Sequence, residues 1–203
     1  MKKLICITGM DGVGKSTLVD ALVQKIPASK AANIWDLLDS PIQSLPFKSK
    51  HQIDDFLCAL TPDSRLLFLS HALTYSVDKA LEGEAECIIL NSYYYKYFAT
   101  EYALGANIEL VKALSTLFPA PDLVIKLELP VAESLLRKKV LSRYECGLVS
   151  KPDSISFSTF QNKATNAWDL FDPRDWIKLD ARKSPTELLN DCIQTLKDSS
   201  LIP

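Results

Sequence analysis

Gly9-Met10-Asp11-Gly12-Val13-Gly14-Lys15-Ser16, followed by Thr17, fills every fixed position of the pattern GxxxxGKS. That spacing suits phosphate chemistry. Glycines let backbone N–H groups turn inward around phosphate oxygens, and a helix N-terminus adds partial positive charge. Lys15 is placed to reach the β- and γ-phosphates of a nucleotide such as ATP, and the Ser16 hydroxyl to ligate Mg²⁺. A second cationic run, Arg137-Lys138-Lys139 with Arg143, could bring charge to the same phosphates. A third group is aromatic: Tyr93, Tyr94, Tyr95, Lys96, Tyr97 and Phe98 follow an apolar strand-like run.

The elements that must position these groups alternate. Leu4 to Thr8 reads as a buried strand, and Lys15 to Ile26 as an amphipathic helix stopped by Pro27. Asn33 to Leu38 reads as a weaker strand ended by Ser40-Pro41. Thr61-Pro62 opens a helix, with threonine as cap and proline in the first turn, and Leu66, Leu69, Leu73, Val77, Ala80 and Leu81 form its inner face. Strands at Cys87–Leu90, Leu123–Leu129 and Trp176–Leu179 alternate with helices marked by Leu110, Val111, Leu114, Leu117 and Phe118, by Ala132, Leu135, Leu136 and Val140, and by Phe160, Ala164, Ala167, Trp168 and Phe171. Ser184-Pro185-Thr186-Glu187 is a capping box for the last helix. The pattern predicts a three-layer α/β fold, a parallel sheet with helices on both faces. Ser142 to Ser158 is the one long stretch without periodicity, and stretches of that kind are usually functional.

Composition bounds the rest. The chain has 203 residues, the length of one domain. Its net charge of −2 excludes binding nucleic acid by phosphate neutralisation alone, so no nucleic-acid partner is expected. Five cysteines without a CxxC pair give neither a zinc site nor a disulfide framework. The start is too short in apolar residues for a signal peptide, and no apolar run spans a membrane. A reducing cytoplasm is the expected location.

No Asn-Lys-x-Asp base-reading motif is present, which argues against a GTPase. The chain resembles the thymidylate kinase family and, more loosely, other phosphate-loop nucleoside monophosphate kinases. The residues that carry the resemblance are Asp11 within the loop, Leu66-Leu67-Phe68-Leu69-Ser70-His71-Ala72, Asn91-Ser92-Tyr93 after the third strand, Pro121-Asp122-Leu123 before the fourth, Arg137 at the lid approach, and Leu179-Asp180-Ala181. The resemblance implies a five-stranded sheet of order 2-3-1-4-5 and transfer of the γ-phosphoryl of Mg-ATP to a nucleoside monophosphate such as dTMP. It also implies a lid over about 138–158 and a homodimer. It makes Lys15, Asp11, Arg137 and Arg143 the catalytic set. Acceptor contacts are expected at Phe68, Ala72, Asn91, Ser92 and Tyr93, with His71 and Lys96 as additional polar groups.

Several departures stand out, the losses at Ala72 and Ser92 above all. Ala72 and Ser92 occupy positions where the family has arginines, Asn91 replaces a carboxylate, and Asp39-Ser40-Pro41 replaces Arg-Glu-Pro. A hydrogen bond to a charged group contributes about 1.5–3 kcal/mol, so two missing arginines cost about 3–6 kcal/mol unless other groups compensate. That is on the order of 10²–10⁴ in rate or affinity. Two other readings stay open: a kinase for a nucleoside or modified nucleotide, and a nucleotide-binding protein without turnover.

Overall fold

The computed structural model describes residues 2–39, 47, 49–171 and 176–203. The Asp39-Ser40-Pro41 reading therefore lies at or outside the edge of the described residues. Five parallel strands, β1 (Lys3–Thr8), β2 (Ser29–Ala32), β3 (Cys87–Asn91), β4 (Leu123–Glu128) and β5 (Ile177–Asp180), form one sheet in the order β2-β3-β1-β4-β5. The central strand β1 aligns Ile5 with Ile89 on one side and with Leu123 on the other.

Alternation along the strands divides the core in two, since successive side chains point to opposite faces. Ile5, Ile7, Ile89 and Ile125 pack with Leu18, Val19 and Leu22 of α1 (Lys15–Lys25) and with Leu188, Cys192 and Leu196 of α8 (Pro185–Asp198). Leu4, Cys6, Ile88 and Leu90 pack on the other face with Leu66, Leu69, Leu73 and Val77 of α3 (Pro62–Glu82) and with Phe98 and Ala99 of α4 (Tyr94–Ala103). Helices α2 (Lys50–Ala59), α5 (Ile108–Ser115), α6 (Val131–Leu136) and α7 (Ser154–Asn166) complete the structure. Thr61 caps α3 by accepting from Ser64 N, and both bonds of the Ser184/Glu187 capping box are made. All five cysteines are free thiols.

Three local expectations are corrected. The strand expected at 33–38 is a 3-10 turn over Ile34–Asp39, and β2 lies earlier, at Ser29–Ala32. Side chains curl this segment. Asn33 Oδ1 accepts from Trp35 N at 2.8 Å, and Asp36 Oδ2 accepts from Asn33 N at 3.0 Å. The helix expected to continue to Val140 stops at Leu136, and both residues are exposed. The stretch 142–158 is not uniformly irregular. It contains a 3-10 turn at Tyr144–Cys146, and a capping box between Asp153 and Ser156 opens α7 inside it. The sequence reading also missed α2, whose N-terminus Ser49 caps by accepting from Gln52 N.

Candidate active site

The phosphate loop joins β1 to α1. Gly9 and Gly12 have φ of 144° and 83°, outside the ordinary range of side-chain-bearing residues. A Cβ on Gly12 would lie 2.5 Å from Ser134 Oγ, and one on Gly9 would lie 2.7 Å from the Leu127 carbonyl. The loop thus runs tightly between β4 and the start of α6. Ser134 Oγ fixes it further by donating to the Asp11 carbonyl. Gly14, also left-handed, is the N-cap of α1, so the following amides face the loop's concave side.

This loop floors a cavity of about 1240 Å³ at the carboxyl ends of the strands, the usual position of ligand sites in such sheets. Asp11, Gly12, Val13, Gly14, Lys15, Ser16 and Thr17 line it, whereas Gly9 and Met10 do not. Lys15 Nζ donates to Met10 O at 2.6 Å. Burial, with the Lys96 ammonium nearby, brings the Lys15 pKa down to about 7. Ser16 Oγ accepts from the Asn91 side-chain amide at 3.0 Å, which places the end of β3 against the hydroxyl expected from the sequence to ligate Mg²⁺.

Lys96, in the first turn of α4, reaches back across the cavity. Its Nζ lies 2.5 Å from Asp11 Oδ1, with side chains 11% and 16% exposed. Burial alone would raise the Asp11 carboxyl, but Lys96 and Lys15 hold it at about 2. Burial also opposes the Lys96 charge, yet Asp11 lifts its pKa above the ordinary lysine value. Beside this pair, Lys138 Nζ donates to Glu145 Oε1 at 2.7 Å.

Arg137 and Arg143 both line the cavity, but each already has carbonyl partners. Arg137 donates to Ala181 O at 2.8 Å and Val13 O at 3.3 Å, joining the phosphate loop to the chain after β5. Arg143 Nε donates to Val149 O at 3.3 Å.

On the acceptor side, Asn91, Ser92 and Lys96 line the cavity. Four other expected contacts do not, among the described residues. Phe68 packs against Phe56 and Phe47, with ring centroids 5.3 and 6.0 Å away. Ala72 is in the core beneath α3, and His71 is exposed. Tyr93 is fully buried and donates to Pro119 O at 3.1 Å. Tyr94 and Tyr95 belong to the same aromatic core, against Phe118 and Trp176. Of the tyrosine cluster, Tyr97 faces the cavity.

The site also contains residues the sequence reading did not assign: Trp35, Asp54, Cys58, Leu69, Tyr144 and Glu145. Asp54 and Cys58 come from α2. The i, i+3, i+4 spacing of Ile53, Phe56 and Leu57 was the signal for that helix.

No protein-family model matches the chain. It is 29% identical over 146 residues to a probable thymidylate kinase 1 of Saccharolobus solfataricus, covering 68% of this chain and 71% of that one. A probable thymidylate kinase of Sulfurisphaera tokodaii is 23% identical over 206 residues, covering 97% and 96% of the two chains. A thymidylate kinase of Mycoplasmopsis agalactiae is 24% identical over 208 residues, covering 95% and 93%. Among solved structures, thymidylate kinase from Candida albicans superposes with a TM-score of 0.67 at 18% identity, covering 98% of this chain and 92% of that one. That structural likeness establishes the fold. The sequence relatives bear one name, and two of them extend across nearly the whole chain, so this chain is similar to thymidylate kinases.

Proposed function

We propose that the protein is an ATP-dependent phosphotransferase that moves the γ-phosphoryl of Mg-ATP to a nucleoside monophosphate. The observation that carries this reading is one continuous cavity. It runs from the phosphate loop, past the Lys96–Asp11 pair, to Trp35, Leu69 and Tyr97. The Lys15 end suits a triphosphate, and the aromatic end suits a base.

Phosphoryl transfer needs mostly positioning and charge neutralisation. Lys15 and the loop amides would hold the β- and γ-phosphates. Ser16 is suited to Mg²⁺, which takes one or two protein oxygens and completes its shell with phosphate and water. The ion would supply charge neutralisation at the phosphates. Arg143, on the segment 138–158, is the lid cation in this reading. Its carbonyl contact at Val149 would exchange for a phosphate oxygen on closure.

The enzyme's place in this reading is the cytoplasm, where it would act on small nucleotides; no helix among the described residues is long and apolar enough to cross a membrane. The family resemblance suggests a homodimer, which size measurement would test. dTMP is the first acceptor to try. Ala72 and Ser92 supply no charge to it, so turnover below that of family members with both arginines is expected. The experiment is ADP release from Mg-ATP over a panel of nucleosides and monophosphates. Activity with nucleosides alone would favour a hydroxyl acceptor.

A further inference from the structure

We propose that Lys96 is the ligand of the acceptor phosphate, and that Asp11 is the residue that positions it. The inference rests on the phosphotransferase reading and names the cation its acceptor half requires.

The two positions where arginines were expected are an alanine in the core and a serine. His71 is exposed away from the cavity, and Arg137 is held on the phosphate-loop side by Val13 O and Ala181 O. Lys138 is matched by Glu145. Lys15 lies within the loop itself, folded onto Met10 O. Lys96 is the ammonium that lies between that loop and the aromatic end, with the Tyr97 ring 5.2 Å away.

Its surroundings are those of a ligand site. A buried charge is costly unless it is paired and hydrogen-bonded. An ammonium has three donors. Among the described residues, its hydrogen-bond acceptor is a single Asp11 oxygen at 2.5 Å. The charged side chains lining the cavity are six basic, Lys15, Lys96, Arg137, Lys138, Arg143 and Lys183, against four acidic, Asp11, Asp54, Asp55 and Glu145, which leaves the pocket net positive. A phosphate monoester dianion satisfies both the spare donors and the excess charge. A neutral nucleoside hydroxyl does neither, so the acceptor class is a monophosphate.

In the transfer, an acceptor phosphate oxygen bonds to the γ-phosphorus as the bond to the β–γ bridging oxygen breaks. ATP⁴⁻ and the monophosphate dianion become ADP³⁻ and a diphosphate trianion, so no proton need move. Lys96 neutralises the attacking oxygen's side, and Asp11 keeps the ammonium ionised and aimed. Asp11 is then occupied by Lys96 and not by the acceptor.

The test is calorimetry with two probes, Mg-ATP and the bisubstrate adenosine–thymidine pentaphosphate, read as the ratio of their affinities. Wild type should bind the bisubstrate at least about tenfold tighter than ATP. Lys96→Met, which keeps the stem volume, should lose about 10- to 100-fold of that ratio, and Lys96→Arg should recover most of it. Asp11→Asn should make the ratio fall between pH 7 and 9, where wild type stays flat, because burial without Asp11 lowers the Lys96 pKa. The double variant Asp11→Asn/Lys96→Met, which strands no buried charge, should match Lys96→Met. An unchanged ratio in Lys96→Met, or a wild-type ratio near one, overturns the assignment even where ATP binds well. Failure of wild type to bind Mg-ATP overturns the phosphotransferase reading itself.

Discussion

The Tyr144 hydroxyl donates to Oε1 of Glu101 at 2.7 Å, deep beneath the segment that carries Arg143. Arg65 Nε holds the other carboxylate oxygen at 2.7 Å, and neither Arg65 nor Glu101 has exposed side-chain surface. Arg65 Nη1 also donates to the carbonyls of Leu57 and Leu60, at the end of α2. One carboxylate thus ties α2, α3 and α4 to the 138–158 segment. Burial pushes Glu101 up to about 7 from 4.5, against the pull of Arg65 and Tyr144. A folded pKa above the unfolded one means that this carboxyl favours folding most below pH 4.5, and that the benefit is lost as pH rises through 7. Tyr144's bond matters most to the ionised form. Tyr144→Phe should therefore cost about 1.5–3 kcal/mol at pH 8 and clearly less at pH 5.5. Urea titrations at the two pH values decide this, and an equal cost at both would refute it.

Lys15 should take up a proton when ATP binds. Its pKa, brought down to about 7 by burial, must rise beside phosphate. ATP affinity should be greatest below pH 7 and fall as pH rises through that value. At pH 8 the binding enthalpy should vary with the ionisation enthalpy of the buffer. Lys15→Met should abolish that variation and weaken ATP at least about tenfold. Buffer-independent enthalpies in wild type would mean that Lys15 is already charged.

Arg143→Ala should lower kcat more than it weakens ATP, because a lid cation acts chiefly in the transition state. Hydrogen exchange across 138–152 should slow when a non-hydrolysable ATP analogue is added. Tyr144 and Cys146, buried without ligand, should change least. Uniform protection with and without the analogue would make the segment a fixed wall.

Asn91→Asp should shift activity to lower Mg²⁺. Asn91 lies 3.0 Å from Ser16 Oγ, so a carboxylate there would add a charged oxygen beside the expected metal position. An unchanged Mg²⁺ dependence would place the ion elsewhere.

Most of the frame was legible because its signals are local. The glycine-lysine-serine spacing, the Thr61-Pro62 and Ser184–Glu187 caps, and the buried apolar runs of β1, β3 and β4 each follow from a few neighbouring residues. The donor half of the site is a single loop and could be read the same way. The acceptor half is assembled from α2, α3, α4 and the segment after Arg137, so its contacts depend on long-range packing. Phe68 was legible as an aromatic on α3, but not the covering of it by Phe56. The tyrosine run was legible as unusual, yet only helical phase separates Tyr97, in the cavity, from Tyr93 and Tyr95 in the core. Arg65 and Glu101 are 36 positions apart, and nothing in their neighbours announces the buried pair.

The most direct test of the central claim is acceptor-dependent ADP formation from Mg-ATP, measured with dTMP and other nucleoside monophosphates on wild type and Lys15→Met. The account predicts that wild type forms one ADP per diphosphate product with at least one monophosphate, and that Lys15→Met forms almost none. Tight Mg-ATP binding with no ADP released for any acceptor would contradict it and leave a nucleotide-binding protein without turnover.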